Sequence, residues 1–137
     1  MNLDTNAFIA APDLIEALEM RSTPICCDTD RILFAQGDLP QGLYILDKGD
    51  TTLTMTTPDG EPIVSVEAHA GSLLGLPGLI GNEPYSLGAT ARSGAQLSYI
   101  PRAEFTSLMQ TEPLLALKIL QVLAAEVRSA RYALSNR

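Results

Sequence analysis

Between Pro24 and Tyr99 the apolar residues come in short runs of four to seven, each stopped by a turn signal, while on either side they recur at helical spacing. That contrast bounds the fold more tightly than any other feature, because strands carry a period of about 2 residues and helices one of about 3.6. The runs are RILF at 31–34, GLYILD at 42–47, TTLTMTT at 51–57, EPIVSVE at 61–67 and AQLSYI at 95–100. Leu53 and Met55 alternate with threonines, and Ile63, Val64 and Val66 sit in the partner run. Thr57-Pro58-Asp59-Gly60-Glu61 between them predicts a hairpin: Pro presets φ, Asp caps its own turn, and Gly supplies a positive φ. Gly37-Asp38 and Gly49-Asp50 mark further turns. Several short strands so closely spaced predict a small antiparallel sandwich or barrel.

The flanks are helical. Pro12 to Arg21 (PDLIEALEMR) puts Leu14, Ile15, Leu18 and Met20 on one side, with Pro12 in the first turn and Asp13 and Glu16 toward its positive end. Ser22-Thr23-Pro24 ends that helix. After Ile100, Pro101 starts a helix whose apolar face is Ala103, Phe105, Leu108 and Met109. Thr111-Glu112-Pro113 then opens a longer one with a hydroxyl cap, an acid and a proline, running from Glu112 to Ser135. Along it Leu117, Leu120, Ala124, Val127 and Leu134 recur at three-and-four spacing, interrupted by Arg131, while Leu115, Ile119, Val122 and Leu123 fill a second apolar face. A helix apolar on two sides needs two partners. One is the β-domain. For the other, the same helix in a second copy is preferred to packing wholly within the domain, because the apolar series continues late in the helix, where a small β-domain no longer reaches.

Composition removes several classes of function. With 46% hydrophobic and 18% charged residues, this 137-residue chain suits one packed core and lacks the balance of a disordered segment. No apolar run approaches the ~20 residues that span a bilayer. Met1–Ala11 carries Asp4 but no Lys or Arg, unlike the start of a signal peptide, so a cytoplasmic location without membrane contact is expected. Sixteen acids against nine bases give a charge of −7. Binding to a phosphate backbone draws on Lys and Arg, which here are scattered singly, so direct nucleic-acid contact by this chain is disfavoured. Adjacent Cys26 and Cys27 point apart in an extended segment, fall short of an iron–sulfur set, and read as small buried hydrophobes. A zinc site would need both of them, His69 and a fourth ligand to converge. Catalysis has no signature either. His69, the single histidine, has no Gly-x-Ser-x-Gly partner and reads as a solvated turn residue, and Asp28 and Asp30 lie in turn-like text where acids cap and solvate.

Ala70 to Thr90 (AGSLLGLPGLIGNEPYSLGAT) follows one strand and precedes another, yet is too irregular and glycine-rich to be either. Gly75 to Gly81 predicts a short helix entered through Gly75, with Pro77 near its first turn and Gly81 at its end. Free N–H groups at such a start bind an anion readily, although a tight barrel corner accounts for the same glycines. Phe34-Ala35-Gln36-Gly37-Asp38, followed by Leu43-Tyr44-Ile45-Leu46-Asp47-Lys48-Gly49, resembles the paired-glycine opening of cyclic-nucleotide-binding domains, above all the sensor domains of catabolite-activator (Crp/Fnr) transcription regulators. The hairpin with PDG, the GSLLGLPGL segment, the strand ending in Tyr99-Ile100-Pro101, and Arg102-Ala103-Glu104-Phe105 continue the resemblance in order, from Ile25 to Ala130. It implies a mainly β fold with flanking helices, an eight-stranded jelly-roll-like β-roll (a double-stranded β-helix) and a long C-terminal helix that forms a homodimer. The organisation expected is an N-terminal helical segment over 1–22, a β-roll sensor domain with a short helix over 23–111, and a dimerisation helix over 112–137.

The resemblance fails at the ligand chemistry. In nucleotide-binding members the cassette carries an acid that holds the ribose hydroxyl and an arginine that pairs with the cyclic phosphate, a buried monoanion suited to a guanidinium's paired donors and fixed charge. Here the acid's place falls at Leu76 and the arginine's at Tyr85, just before Ser86. Leu accepts no hydrogen bond and Tyr is uncharged at neutral pH, so a pair worth on the order of several kcal/mol is missing and ordinary cAMP binding is disfavoured. The candidate ligand-binding residues are Gly75, Leu76, Pro77, Gly78, Leu79, Tyr85 and Ser86, holding a weaker or different ligand through backbone N–H groups and the two hydroxyls. No helix-turn-helix follows before Arg137, so a DNA-reading domain is expected to be either cut away or naturally absent. Three readings follow. The chain is an effector-sensing domain with altered or lost cAMP binding, or a degenerate domain kept for dimerisation and protein contacts, or a haem-based sensor using His69, Cys26, Cys27 or a methionine. No cofactor, metal or catalytic residue is assigned.

Overall fold

The run at 42–47 is apolar at nearly every position because the strand it forms is covered on both faces. In the computed structural model, which describes residues 3–135, that strand lies at the heart of a β-roll. A 3-10 turn (Thr5–Phe8) and α1 (Pro12–Glu19) precede strands β1 (Thr23–Cys26), β2 (Arg31–Phe34), β3 (Gly42–Lys48), β4 (Thr51–Thr56), β5 (Pro62–Ala68) and β6 (Leu73–Leu74). The short helix α2 (Leu76–Gly81) leads to β7 (Gly88–Ala91) and β8 (Gln96–Pro101), then α3 (Arg102–Thr111) and α4 (Pro113–Ser135). The strands form two antiparallel four-stranded sheets, ordered β1-β8-β3-β6 and β2-β7-β4-β5. The mainly β, jelly-roll-like architecture with a long C-terminal helix is thus the one the sequence implies.

Alternation divides the core. Leu46 and the half-buried Tyr44 of β3 point into the roll, where they meet Phe34, Leu53, Leu74, Tyr85, Ala89 and Leu97. Leu43 and Ile45 point outward into a second cluster with Leu14 and Leu18 of α1, Phe105 and Leu108 of α3, and Ile119 of α4. Each large apolar side chain so buried contributes about 1.5–3 kcal/mol. The β4–β5 hairpin pairs Leu53 with Val66 and Met55 with Val64. Its turn is closed by Gly60 N donating to Thr57 O at 2.9 Å and Thr57 N to Glu61 O at 2.8 Å, with Gly60 at φ 86°.

Strands β2, β3, β4, β5 and β8 coincide with the five apolar runs to within one residue at either end. β1, β6 and β7 lie outside those runs. β7 reads GATA because it lies between β2 and β4, where space is short: a Cβ on Gly88 would meet Thr54 Oγ1 at 3.2 Å. Three apolar expectations are corrected. Met20 caps the C-terminal end of α1 and is 85% exposed, since the helix stops at Glu19. Cys27 is buried, but Cys26 faces solvent from the edge strand β1. Ala103 is exposed, so α3 packs through Phe105 and Leu108.

The chain bends by 116° between α3 and α4, and α4 then runs back across the roll. Leu115, Ile119, Val122 and Leu123 seat it on the second cluster. A Lys118–Asp13 ion pair ties it to α1, and Asp4 N donates to Ser129 Oγ at 3.0 Å. Leu117, Leu120, Ala124 and Val127 remain on the outer side, exposed; the side chain of Leu134 lies outside the described residues. Among the described residues no single helix is long and apolar enough to cross a membrane.

The tightest backbone approach lies at Gly42, where an added Cβ would sit 2.4 Å from Ile100 O and 2.6 Å from a Tyr99 ring carbon. Backbone cannot yield as a flexible side-chain end can. Gly42→Ala is expected to destabilise the fold by about 1–3 kcal/mol or more, read as a lowered midpoint in urea unfolding with an unchanged m-value.

Candidate functional site

Gly75 is where the chain leaves β6 and turns into α2. It follows β6 in the left-handed region at φ 92° and caps α2, with Pro in the first turn of the helix; Asn82, at φ 53°, ends it. A Cβ on Gly75 would lie 2.9 Å from Tyr85 Cε1, so the glycine provides both the backbone turn and room for the tyrosine ring.

Tyr85 is riveted in place. Its ring stacks on Phe34 with centroids 4.0 Å apart, and its hydroxyl donates to Gly42 O at 3.0 Å. Its backbone N–H donates to Asp38 O at 2.9 Å, and Gly37 N donates to Tyr85 O at 2.8 Å. The segment after α2 is thereby fastened to the turn between β2 and β3. Burial pushes the phenol above its ordinary value, so the group is neutral at physiological pH. Its hydroxyl is also committed to a backbone carbonyl rather than free for a ligand anion.

Beside this rivet lies a cavity of about 340 Å³. The roll supplies Phe34, Leu53, Met55, Leu74 and Leu87, and the N-terminal segment adds Leu3 and Phe8. Gly75, Pro77, Gly78, Tyr85 and Ser86 line it from the cassette, while α4 covers it with Glu126, Val127 and Ala130. Five of the seven candidate residues are therefore brought together. Leu76 and Leu79 are not; both are buried in the second cluster. The reason is helical geometry, since positions 76 and 79 share the face of α2 that packs against the sheet while 77 and 78 face the opening. None of Cys26, Cys27 or His69 lines the cavity, though Met55 does. His69 is exposed with its Nδ1 2.9 Å from Asp50 Oδ1, and Asp30 accepts from Ser93 N at 2.8 Å in a loop contact. Among the described residues no three His, Cys, Asp or Glu gather into a metal site.

Sequence reasoning missed Glu126. It is 6% exposed, and neither carboxyl oxygen has a hydrogen-bond partner among the described residues. Burial alone drives its pKa up to about 8. The signal was available: positions 115, 119, 122 and 126 follow the four-three-four rhythm of the inward face of α4, which places an acid on the buried stripe. Among the described residues no Lys, Arg or His lines the cavity, and Glu126 is the one strongly acidic or basic group that does.

The sequence profile of the cyclic nucleotide-binding domain family matches residues 27–112. A search of curated protein sequences finds no match. Among solved structures, the catabolite activator protein of Thermus thermophilus is 25% identical, with a TM-score of 0.78 over 91% of this chain. The chain spans 59% of that protein's length. The c-di-GMP responsive global regulator CLP of Xanthomonas campestris is 21% identical, with a TM-score of 0.70 over 90% of this chain and 63% of its own. The sensor domain of the transcriptional regulator DNR from Pseudomonas aeruginosa is 22% identical, with a TM-score of 0.65 over 83% of this chain and 77% of its own.

Glu126 makes stability depend on pH. The folded carboxyl keeps its proton up to about pH 8, whereas in the unfolded chain it ionises near its ordinary 4.5. Between these values the folded state binds the extra proton, so stability is greatest at the acid end and falls as pH rises toward 8. At about 1.4 kcal/mol per pH unit the loss amounts to several kcal/mol. Glu126→Gln is expected to remove most of that slope, measured as the difference between the two proteins in chemical unfolding at pH 5, 6, 7 and 8.

Proposed function

The chain belongs to the cyclic nucleotide-binding domain family, and from that membership we propose that it is the effector-sensing part of a Crp/Fnr-like transcription regulator whose ligand is not an ordinary cyclic nucleotide. The observation that carries this reading is the cavity closed between the roll and α4. A ligand held there touches the cassette on one side and Glu126, Val127 and Ala130 on the other, so its differential contacts bias the position of α4. The relatives described as a c-di-GMP responsive regulator and as a sensor domain share this fold. A domain kept purely for protein contacts would have this space filled by Leu76 and Tyr85; Tyr85 lines the cavity, but Leu76 is packed in the second cluster and about 340 Å³ stays free.

The chemistry of the cavity argues against cAMP and cGMP. The position of the phosphate-pairing arginine is taken by Tyr85, whose hydroxyl bonds to Gly42 O, and the described lining residues include no Lys, Arg or His. A cyclic phosphate entering here would surrender its hydration without a charged partner. Calorimetric titration with cAMP, cGMP and c-di-GMP is expected to show no saturable binding at micromolar or tighter dissociation constants. By contrast, 1-methylnaphthalene, an apolar probe, is expected to bind one molecule per chain by fluorescence, and Met55→Trp, which crowds the cavity, to weaken it. Failure of the apolar probe to bind would sink the sensing assignment.

The outer face of α4 carries the second half of the reading. Leu117, Leu120 and Val127 are 54%, 43% and 44% exposed in a stripe with Ala124, which suits the same helix of a second copy. Val127 belongs to both the stripe and the cavity wall, so ligand and dimer would act on one turn of helix. Light scattering at micromolar concentration is expected to return a homodimer, and the double change Leu117→Glu with Leu120→Glu a monomer that keeps its fold by circular dichroism.

A further inference from the structure

One buried group of α4 plays no part in holding the fold together. Glu126 projects from α4 into the apolar cavity, 94% buried by the 6% exposure of the residue, and both its oxygens lack partners among the described residues. A carboxyl left in that state loses its hydration and gains nothing in return. Nothing in the packing of α4 calls for an acid there, because its neighbours on the same face, Ile119, Val122 and Leu123, are all apolar.

Resting on the reading of this cavity as an effector site, we propose that Glu126 recognises the ligand, and that the ligand is a small apolar molecule carrying a basic amine. The walls supply the first half of that description: Phe34, Leu53, Met55, Leu74 and Leu87 offer dispersion contact and no hydrogen bonds from their side chains. Glu126 supplies the second. An ammonium group seated against it gives the carboxylate the donors it lacks, while the carboxyl proton passes to solvent. An anion finds no Lys, Arg or His among the described lining residues to offset its lost hydration. The site therefore discriminates by charge against the phosphate esters that the fold otherwise accommodates. Because Glu126 lies on the helix whose opposite face carries Leu117 and Leu120, the recognising group and the exposed stripe move together.

The test uses probes with one apolar body and different end groups: 1-naphthylmethylamine, 1-methylnaphthalene and 1-naphthylacetate, titrated into the full chain near pH 7 by fluorescence and calorimetry. The amine is expected to bind about tenfold or more tighter than 1-methylnaphthalene, and the acetate more weakly than either. Glu126→Gln, which keeps the shape and removes the charge, is expected to bring the amine to within about twofold of 1-methylnaphthalene without weakening the latter. Glu126→Leu serves as a second variant with the same expectation. Equal affinity for amine and acetate, or an amine preference that survives in both variants, overturns the role of Glu126 while leaving the cavity as an effector site. Binding of none of the three overturns both readings. Micromolar binding of a cyclic nucleotide that is indifferent to Glu126→Gln overturns the charge discrimination.

Discussion

The rest of this structure depends on the seating of α4 across the roll. Ile119 is wholly buried there, with Leu115, Val122 and Leu123 beside it, so the helix completes a core that the sheets alone leave open. Two polar ties set its place along the roll: Lys118 to Asp13 on α1, and Ser129 to the backbone of Asp4. The exposed ion pair adds little energy but favours one placement over others. Remove the helix and the cavity has no lid, Glu126 returns to water, and the N-terminal turn loses its main contact. Packing energy, cavity and outer apolar stripe are therefore three consequences of one docking event.

The second organising contact is Tyr85. In place of a charged side chain that would wait for a ligand, the chain has a ring stacked on Phe34 and a hydroxyl satisfied by Gly42 O. Both contacts fasten the segment after α2 to the roll. A satisfied neutral group costs little to bury, whereas an unpaired guanidinium would cost several kcal/mol, on the order expected for an isolated buried charge. Among the described lining residues the one carboxyl group is the acid on α4, and no Lys, Arg or His accompanies it. Leu76 turns into the second cluster, where an acid could not have been accommodated without a partner.

Much of the architecture was legible because strand and helix leave different periods in the text. Five strands stand out since their inward positions are apolar and their ends carry turn residues, and the PDG hairpin closes with the backbone bonds its residues favour. β1, β6 and β7 escaped for physical reasons. β6 is two residues long, β1 is an edge strand with mostly exposed side chains, and β7 holds small residues because its neighbours crowd it. Met20 continued the periodicity of α1 in the sequence, yet the helix had already ended. Cassette residues were found together, but periodicity could not say which side of α2 faced the opening, and Leu76 and Leu79 lie on the other.

What the sequence by itself determined is five of the eight strands and the helices that flank them, the mainly β class and the absence of an arginine at the position of Tyr85, all of which rest on local pattern and residue identity. What only the tertiary structure decided is where α4 lies, and with it the cavity, the isolation of Glu126 and the division of the helix into a buried and an exposed face. The physical reason is that burial is a property of two surfaces at once. A glutamate in a helix is an ordinary solvated residue until another part of the chain covers it, and here that cover comes from residues some 40 to 120 positions away in sequence, from Leu3 and Phe8 at one end to Leu87 at the other.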